Sequence, residues 1–243
     1  MPVRLSYKAS LLPTLLALLA TLALTRLGFW QLDRAGQKQA MQDQFQERSA
    51  MAELDLSGLI QLPAADILWR RVRVAGSYHG RWRILLDNQT YQGQAGYTVY
   101  TPLQLAGAGP WVLIDRGWIP APAYRNIIPA IATPADQMTL FGRIEQPPFS
   151  GILLSKDFIE TLGQDTLRTQ AVRLDKLEEM TGLKFLPFIV VLAPESTTGF
   201  LHERPAPGFG KERHLGYAFQ WFAMATAVVC IYLYLQIRSV RHG

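Results

Sequence analysis

His214 stands at the start of the longest uncharged apolar stretch in the chain, residues 215–237. An ionisable group beside such a stretch is costly to bury and is commonly functional. On a helix, Tyr217 and Trp221 share the face of His214 because they follow it by three and seven residues. A neutral imidazole that faces aromatic side chains is suited to be an axial haem ligand. The candidate cofactor-binding residues are therefore His214, Tyr217, Gln220 and Trp221, with His214 as the candidate ligand of a haem iron.

Other roles fit the same residue types. A histidine at a membrane interface is also typical of an amphipathic anchor or a hydrogen-bond partner. A glutamine such as Gln220 within an apolar helix is typical of an interhelical hydrogen bond. If a haem is bound, its propionates need cations nearby. The candidate cations are Arg26, Arg34, Lys211 and Arg213.

Two apolar stretches, residues 9–25 and 215–237, contain no Asp, Glu, Lys or Arg. At about 1.5 Å per residue, the second makes a helix of roughly 34 Å, enough to cross a hydrocarbon core of about 30 Å. The first is shorter and reaches full length if its helix continues through Trp30 into the interface. We predict transmembrane helices at residues 9–30 and 214–237, tails at 1–8 and 238–243, and a domain over 31–213.

A cleaved signal peptide is the alternative interpretation of the first stretch. Basic residues precede it and small residues such as Ala20 and Ala23 end it, as in a secretory signal. Signal peptides have an apolar region of only about 7–15 residues, so a retained helix is the favoured interpretation.

The charge distribution predicts the orientation in the membrane. All 19 acidic residues lie between the two stretches, and of the net charge of +5 the two tails carry +2 each and the intervening domain +1. Basic tails remain on the cytoplasmic side. The charge therefore predicts that both termini are cytoplasmic and that the domain is exported, and the predicted location is a bacterial inner membrane with the domain periplasmic. Membrane lipid is the expected environment of both helices, and the nearly neutral domain does not favour nucleic-acid binding.

Signals for catalysis are weak. The single cysteine, Cys230, lies in the second apolar stretch, so the domain contains neither a disulfide nor a thiol metal site. No nucleophile elbow, phosphate-binding loop or dinucleotide fingerprint is present. His79 and His202 stand in the domain without a local motif, and turn histidines are the simpler explanation for both. We predict a protein that is not an enzyme and has no catalytic residues.

The domain has the pattern of short strands. Gly107 and its neighbours join two of them as an antiparallel hairpin, and Asp87 and Asn88 predict a turn. Trp69, Trp82 and Trp111 are predicted to be buried. The fold class is thus a membrane protein in which two transmembrane helices flank a mainly antiparallel β (α+β) exported domain, either a barrel or a sandwich. Strands are expected at residues 71–74, 84–86, 96–105, 111–118, 139–145 and 185–192.

Helices are expected in three places. The polar segment at 27–51 reads as a helix that continues out of the membrane or restarts above it. Residues 157–162 and 174–180 are short helix candidates, the second ended by Gly182. Pro187 places the strand at 185–192 at a sheet edge or a bulge.

Three segments resemble one known family. They are LGFWQLDRAGQK at residues 27–38, DNQTYQGQAGYTVYTPLQL through LIDRGWIP at 87–120, and HLGYAFQWFAMA at 214–225. In this order they resemble the motifs of the surfeit locus protein (Surf/Shy) family, assembly factors of haem–copper terminal oxidases. The resemblance covers the chain from end to end.

The resemblance implies a function in biogenesis of cytochrome c oxidase, the respiratory chain complex IV, or of a related quinol oxidase. It implies that the protein acts as a chaperone that binds haem a through His214 and helps to insert it into the oxidase catalytic subunit. Haem A synthase is an implied haem donor. A membrane scaffold that stabilises an assembly intermediate without touching haem is the alternative. Arg116, Gly117 and Trp118 of the central motif are expected to be structural or partner-facing, with Asp115 or Asp87 as the acidic partner of Arg116.

Overall fold

The computed structural model describes residues 11–107, 109–148, 159–196, 198–201, 207–208 and 210–242, with side chains described only to residue 239 at the C-terminal end. The helices are α1 (Leu11–Ala50), α2 (Ala64–Ile67), α3 (Leu174–Thr181) and α4 (Lys211–His242), with a 3-10 turn at Leu56–Gly58. The strands are β1 (Leu54–Asp55), β2 (Arg71–Tyr78), β3 (Arg83–Tyr91), β4 (Gln94–Leu105), β5 (Trp111–Pro120), β6 (Met138–Glu145), β7 (Ile159–Leu162), β8 (Thr166–Thr169) and β9 (Phe185–Leu192).

The chain divides into two compact units, which are described separately. The first comprises α1 as far as Phe45 and the chain from Pro205, which includes α4; the second is a β domain over Gln46–Arg204. The predicted N-terminal tail, His202 and the first two residues of the predicted helix at 157–162 lie outside the described residues.

Both long helices are apolar enough to cross a membrane. Only 6% of the apolar window of α1 and 11% of that of α4 is buried within the protein. A core helix of a soluble protein would be mostly buried, so these exposed apolar surfaces indicate a membrane protein. The predicted helix at 27–51 is confirmed, because α1 continues without a break to Ala50.

Helices α1 and α4 pair in antiparallel orientation, and one stripe of residues on each helix forms the seam between them. The buried and half-buried positions recur at alternating intervals of three and four residues, the 3.5-residue repeat of a left-handed coiled coil. The Thr14 and Tyr232 hydroxyls, 2.8 Å apart, join the two helices along this stripe. The stripe of α1 includes Thr14, Ala17, Thr21, Leu24, Gly28, Gln31, Ala35 and Lys38, and that of α4 includes His214, Ala218, Trp221, Ala225, Val228 and Tyr232.

The β domain is built around a closed five-stranded barrel. Strands β2, β6, β9, β5 and β4 are hydrogen-bonded in that order, and β4 pairs back to β2 through Gly76↔Leu105 and Tyr78↔Leu103. Most pairings are antiparallel, but β5 and β9 are parallel. A barrel leaves no unpaired edge among these strands, and the choice between barrel and sandwich is thereby settled. The remaining strands extend the sheet, β1 beside β2 and β3, β8 and β7 beyond β4.

Alternation along the barrel strands fills two cores. Val112 and Ile114 of β5 point into the barrel with Phe188 and Val190 of β9. Leu113, between the first two, points outward and packs in a second cluster with residues from β3, β8 and α3. Since both faces of these strands are covered, their sequences read as continuous apolar runs.

The turn predicted at Asp87 and Asn88 is wrong. Strand β3 runs through both residues to Tyr91, and the pairing with β4 shifts register between Leu86 and Gln89. Asn88 has a φ of 59°, so the extra residue forms a β-bulge. The true hairpin turn follows at Gln92 and Gly93, where φ is 47° and 80°, as a two-residue primed turn requires.

The helix predicted at 157–162 is wrong for its described part, because Ile159–Leu162 is strand β7, paired with β8. The helix predicted at 174–180 is confirmed as α3, which ends at Gly182 with a left-handed φ of 75°. Strand 185–192 is confirmed as β9. It lies inside the barrel sheet rather than at an edge, and Pro187 is exposed within the irregular part of its pairing with β5.

The prediction for the tryptophans is confirmed only for Trp82, which is buried. Trp69 and Trp111 are half-buried. Trp69 also has a positive φ of 66° just before β2, which is uncommon for a bulky residue. Trp118 is buried in the core at the end of β5.

Candidate functional site

His214 lies in the contact between the two long helices, near the N-terminal end of α4. Its Nδ1 is 2.8 Å from Oε1 of Gln31 on α1. His214 is half-buried and Gln31 is buried, with the small residues Gly28 and Ala35 next to Gln31 along the α1 stripe. The imidazole is therefore tied to the opposite helix rather than free at the surface.

One flank of this helix pair is closed by phenylalanines. Phe222 packs edge-on against Phe29 with ring centroids 5.4 Å apart. A Cβ added to Gly28 would meet the Phe222 ring at 2.6 Å. Glycine at position 28 thus permits the close approach of the helices just beside the Gln31–His214 contact.

The opposite flank carries Tyr217 and Gln220, and Trp221 lies at its border with the α4 stripe. At about 100° per residue, Tyr217 and Gln220 lie roughly 60° and 120° from His214 on the side away from Phe222. Trp221 lies within about 20° of His214 and is half-buried against α1, whereas Tyr217 and Gln220 are exposed. Because the helices are antiparallel, this flank also carries Leu27, Trp30 and Arg34 of α1, all exposed. We call it the aromatic flank.

The candidate cations differ in position. Arg34 lies 5.8 Å from the Trp30 ring centroid on the aromatic flank, and Arg213 is exposed on the same side of α4. Lys211 instead donates to Oε1 of Gln39 on α1. Arg26 is exposed and lies farther around α1, about 140° from Gln31. Arg34 and Arg213 are therefore the cations that share a flank with Tyr217.

The residues on this flank fit the chemistry of a haem. An imidazole nitrogen is a suitable iron ligand, and the exposed apolar and aromatic side chains of Leu27, Trp30 and Tyr217 provide a surface for a flat apolar ring. Along the helix axes, Arg34 and Arg213 lie toward the C-terminal end of α1, and Tyr217 and Trp221 lie toward the other end. Such an arrangement matches a molecule with carboxylates at one edge and apolar elsewhere.

In the β domain, the central motif segments come together at the end of the barrel. The Tyr91 and Trp118 rings are 5.3 Å apart, and a Cβ added to Gly96 would lie 2.3 Å from the Trp118 ring. Gly117 has a left-handed φ of 102°, and its N–H donates to Asp115. These motif residues are structural in the described domain.

The acidic partner expected for Arg116 is a wrong prediction among the described residues. The Arg116 guanidinium donates to the carbonyl oxygens of Thr198 and Ala132 at 2.8 and 2.9 Å, and it stacks on the Tyr78 and Phe200 rings. Asp87 pairs instead with Arg125 at 2.5 Å.

Arg116 is buried without a carboxylate partner among the described residues. Burial lowers the pKa of Arg116 and raises the pKa of Tyr78, whose hydroxyl contacts Thr198. The guanidinium joins β5 to the two segments that contain Ala132 and Thr198, so it ties loops across this end of the barrel.

His79 is a turn residue, as expected from the sequence. Its Nδ1 accepts from the N–H groups of Arg81 and Trp82 at 3.1 and 3.2 Å. Burial, and then the charge of Arg81, lower the pKa of His79. Across the part of the chain that the structure describes, no group of three or more His, Cys, Asp and Glu residues is arranged to hold a metal ion; a single axial histidine needs no such group.

The chain has two long apolar helices that share a polar contact, and in sequence a five-stranded β-barrel lies between them. These features define the class of this protein as a membrane-anchored β-barrel protein. A model of the SURF1 family matches residues 18–226, and the chain belongs to that family. Family members are assembly factors linked to cytochrome oxidase, without enzymatic activity of their own.

Similar curated proteins are uncharacterised SURF1-like proteins from Mycobacterium bovis and Mycobacterium tuberculosis. Each is 25% identical to this chain over 229 residues, which is 90% of this chain and 81% of the relative.

Proposed function

We propose that this protein is an assembly factor for a haem–copper terminal oxidase that carries haem a on its helix pair. Haem A synthase supplies the haem in this proposal, and the oxidase catalytic subunit receives it. The observation that carries the proposal is the half-buried imidazole of His214 beside a flank that holds both aromatic and basic side chains. Family membership supports the oxidase context.

Each residue has a distinct role in this proposal. His214 binds the haem iron, Tyr217 and Trp221 contact the apolar ring, and Gln220 lies at the outer margin of the flank. Arg34 and Arg213 pair with the propionates. A single protein ligand leaves the cargo easy to release, because the better ligand set of the acceptor subunit can replace one imidazole.

The test is the pigment of the purified protein. The full chain, isolated in a mild detergent from cells that make haem a, should contain close to one haem per polypeptide, with an absorption spectrum of a histidine-bound haem. Oxidase subunits should be present in the same eluate. Protein that copurifies with oxidase subunits but has no haem above background would contradict the carrier function.

The scaffold alternative is favoured by a loop of the β domain. Tyr124, Ile127 and Ile128 in the connection between β5 and β6 are exposed, Tyr124 by 70%. The same connection is held by Arg116, which donates to Ala132, and by Arg168, which donates to the carbonyl of Arg125 at 2.7 Å. A fixed loop with exposed apolar side chains suits docking to another protein. A colourless eluate that contains oxidase subunits would select this function.

We further propose that both termini are cytoplasmic and that the β domain is periplasmic, in a bacterial inner membrane. Basic residues in both tails support this orientation. In a Cys230→Ser background, a cysteine at the exposed Gly80 should react with a membrane-impermeant maleimide in intact spheroplasts. A cysteine at Ser239 should react only after permeabilisation. The reverse pattern would contradict the proposed orientation.

A further inference from the structure

We infer that Gln31 is a positioning residue that holds His214 in one tautomer, with the proton on Nδ1 and a free lone pair on Nε2. The importance of this tautomer rests on the proposed function, because a haem iron binds the unprotonated nitrogen. The tautomer itself is a property of the protein without haem, so the two statements can be tested separately.

The hydrogen bond between the two side chains determines which imidazole nitrogen of His214 carries the proton. Nδ1 of His214 lies 2.8 Å from Oε1 of Gln31. An amide oxygen can only accept, so this contact is a hydrogen bond only when Nδ1 carries the proton and donates it. In a neutral imidazole the other nitrogen then has the lone pair. Ligating histidines in proteins commonly donate their second nitrogen in this manner, and this outer partner fixes both tautomer and ring orientation.

The surrounding helices restrict both partners. Gln31 is only 9% exposed, at a seam position of the coiled coil flanked by Gly28 and Ala35. Ala218 of α4, one turn from His214, is also buried. These small residues allow the helices to approach closely, which places the side-chain amide of Gln31 within reach of the imidazole. A buried amide without a partner is costly. The side chain of Gln31 is therefore stabilised when its Oε1 accepts a hydrogen bond from Nδ1 of His214.

A purely structural role of Gln31 would give different results from a role in fixing the tautomer of His214. A polar pair in a helix seam can serve only to set the register of the two helices. Replacing Gln31 would then change stability but not the proton position on His214. Gln39 provides a matched control, because it is another glutamine on α1 that contacts α4, through Lys211 rather than through a histidine.

The first experiment reads the tautomer in haem-free protein. The chain has 4 histidines, so the full-length protein with ring-15N-labelled histidine in detergent gives few signals at a pH where histidines are neutral. His214→Asn identifies the signals of His214. Wild type should show Nδ1 protonated. Gln31→Leu should shift His214 toward the mixture of tautomers of an unconstrained imidazole. Gln31→Glu keeps an acceptor oxygen and should retain the Nδ1-protonated tautomer. Gln39→Leu should leave the tautomer of His214 unchanged.

The second experiment uses haemin as the probe. Loss of an outer partner of a ligating histidine typically costs 10–100-fold in affinity, so Gln31→Leu should weaken haemin binding by about tenfold to a hundredfold, and Gln39→Leu should leave it within about twofold. Two results would overturn the inference: a wild-type His214 protonated on Nε2, or a tautomer unchanged by Gln31→Leu. If the tautomers behave as expected but wild type does not bind haemin, the inference stands and the haem-carrier function falls.

Discussion

Replacement of His214 by alanine should remove bound haem from the purified protein, with an affinity loss of more than about a hundredfold. Removing only the outer partner of a ligating histidine costs 10–100-fold, and loss of the iron ligand itself must cost more. The remaining contacts, from the aromatic flank and the arginines, do not bind the iron. Haem per polypeptide and the reduced-minus-oxidised spectrum, measured on wild type and His214→Ala prepared in parallel, check this expectation.

Two controls make the result specific. His79→Ala removes an imidazole from a turn of the β domain, where Nδ1 accepts two backbone N–H groups, and should keep the wild-type pigment. Free imidazole added to His214→Ala should restore part of the spectrum, because it can occupy the position of the missing ring. An unaltered spectrum in His214→Ala would show that another residue binds the iron.

Much of the fold could be predicted because it depends on local pattern. The apolar stretches identified α1 and α4, alternation identified the start of β2, and runs of strand-forming residues bounded by turn residues identified strands close to β4 and β5. The hairpin of β4 and β5 was also predictable, since the two strands are joined by a short connection that contains Gly107. Each of these features is decided by residues that are close to one another in the sequence.

Closure of the barrel could not be predicted, because it depends on pairings between distant strands. β2 pairs with both β4 and β6, and β5 pairs in parallel with β9. Nothing in the strand β9 itself specifies a neighbour some 70 residues earlier. Pro187 was consistent with a bulge, and the structure places it in the irregular part of this parallel pairing.

The errors in the β domain have physical causes. Asp87 and Asn88 are typical turn residues, but here Asp87 is held by Arg125 and by the N–H of Asn88. The strand therefore continues through both residues with a β-bulge and does not end in a turn there. For Arg116, an ion pair was expected from burial alone, and the structure satisfies most of its donors with backbone carbonyls and aromatic rings instead.

Only the part of the candidate site that lies on α4 could be inferred from the sequence. His214 and its face on α4 could be identified from the edge of an apolar stretch, but Gln31 is 183 residues away in sequence. A signal was available: Gly28, Gln31 and Ala35 are spaced as seam positions of a coiled coil, and a glutamine between two small residues indicates an interhelical contact. Which residue it contacts depends on the register of the two helices, which local pattern does not determine.

The largest effect on stability is expected at Gly96 in β4. A Cβ there would lie 2.2 Å from the backbone oxygen of Ile119 and 2.3 and 2.4 Å from two ring carbons of Trp118. The carbonyl belongs to the paired strand β5 and cannot move without breaking the sheet. Overpacking costs about 1–3 kcal/mol and sometimes more. Gly96→Ala should lower the free energy of unfolding of the β domain by about 3 kcal/mol, because both a strand and a buried indole must shift.

For a domain of this size, such a loss corresponds to a decrease in Tm of roughly 6–12 °C, measurable on the full chain in detergent by tryptophan fluorescence. Gly80→Ala is the matched control, since Gly80 has open space around its Cβ position and no left-handed φ. There the loss of unfolded-state freedom should make alanine neutral or stabilising by up to about 1 kcal/mol. The two substitutions make the same chemical change, so opposite signs at positions 80 and 96 would isolate the steric cost at the β4–β5 contact. Equal effects would mean that Trp118 does not pack on Gly96.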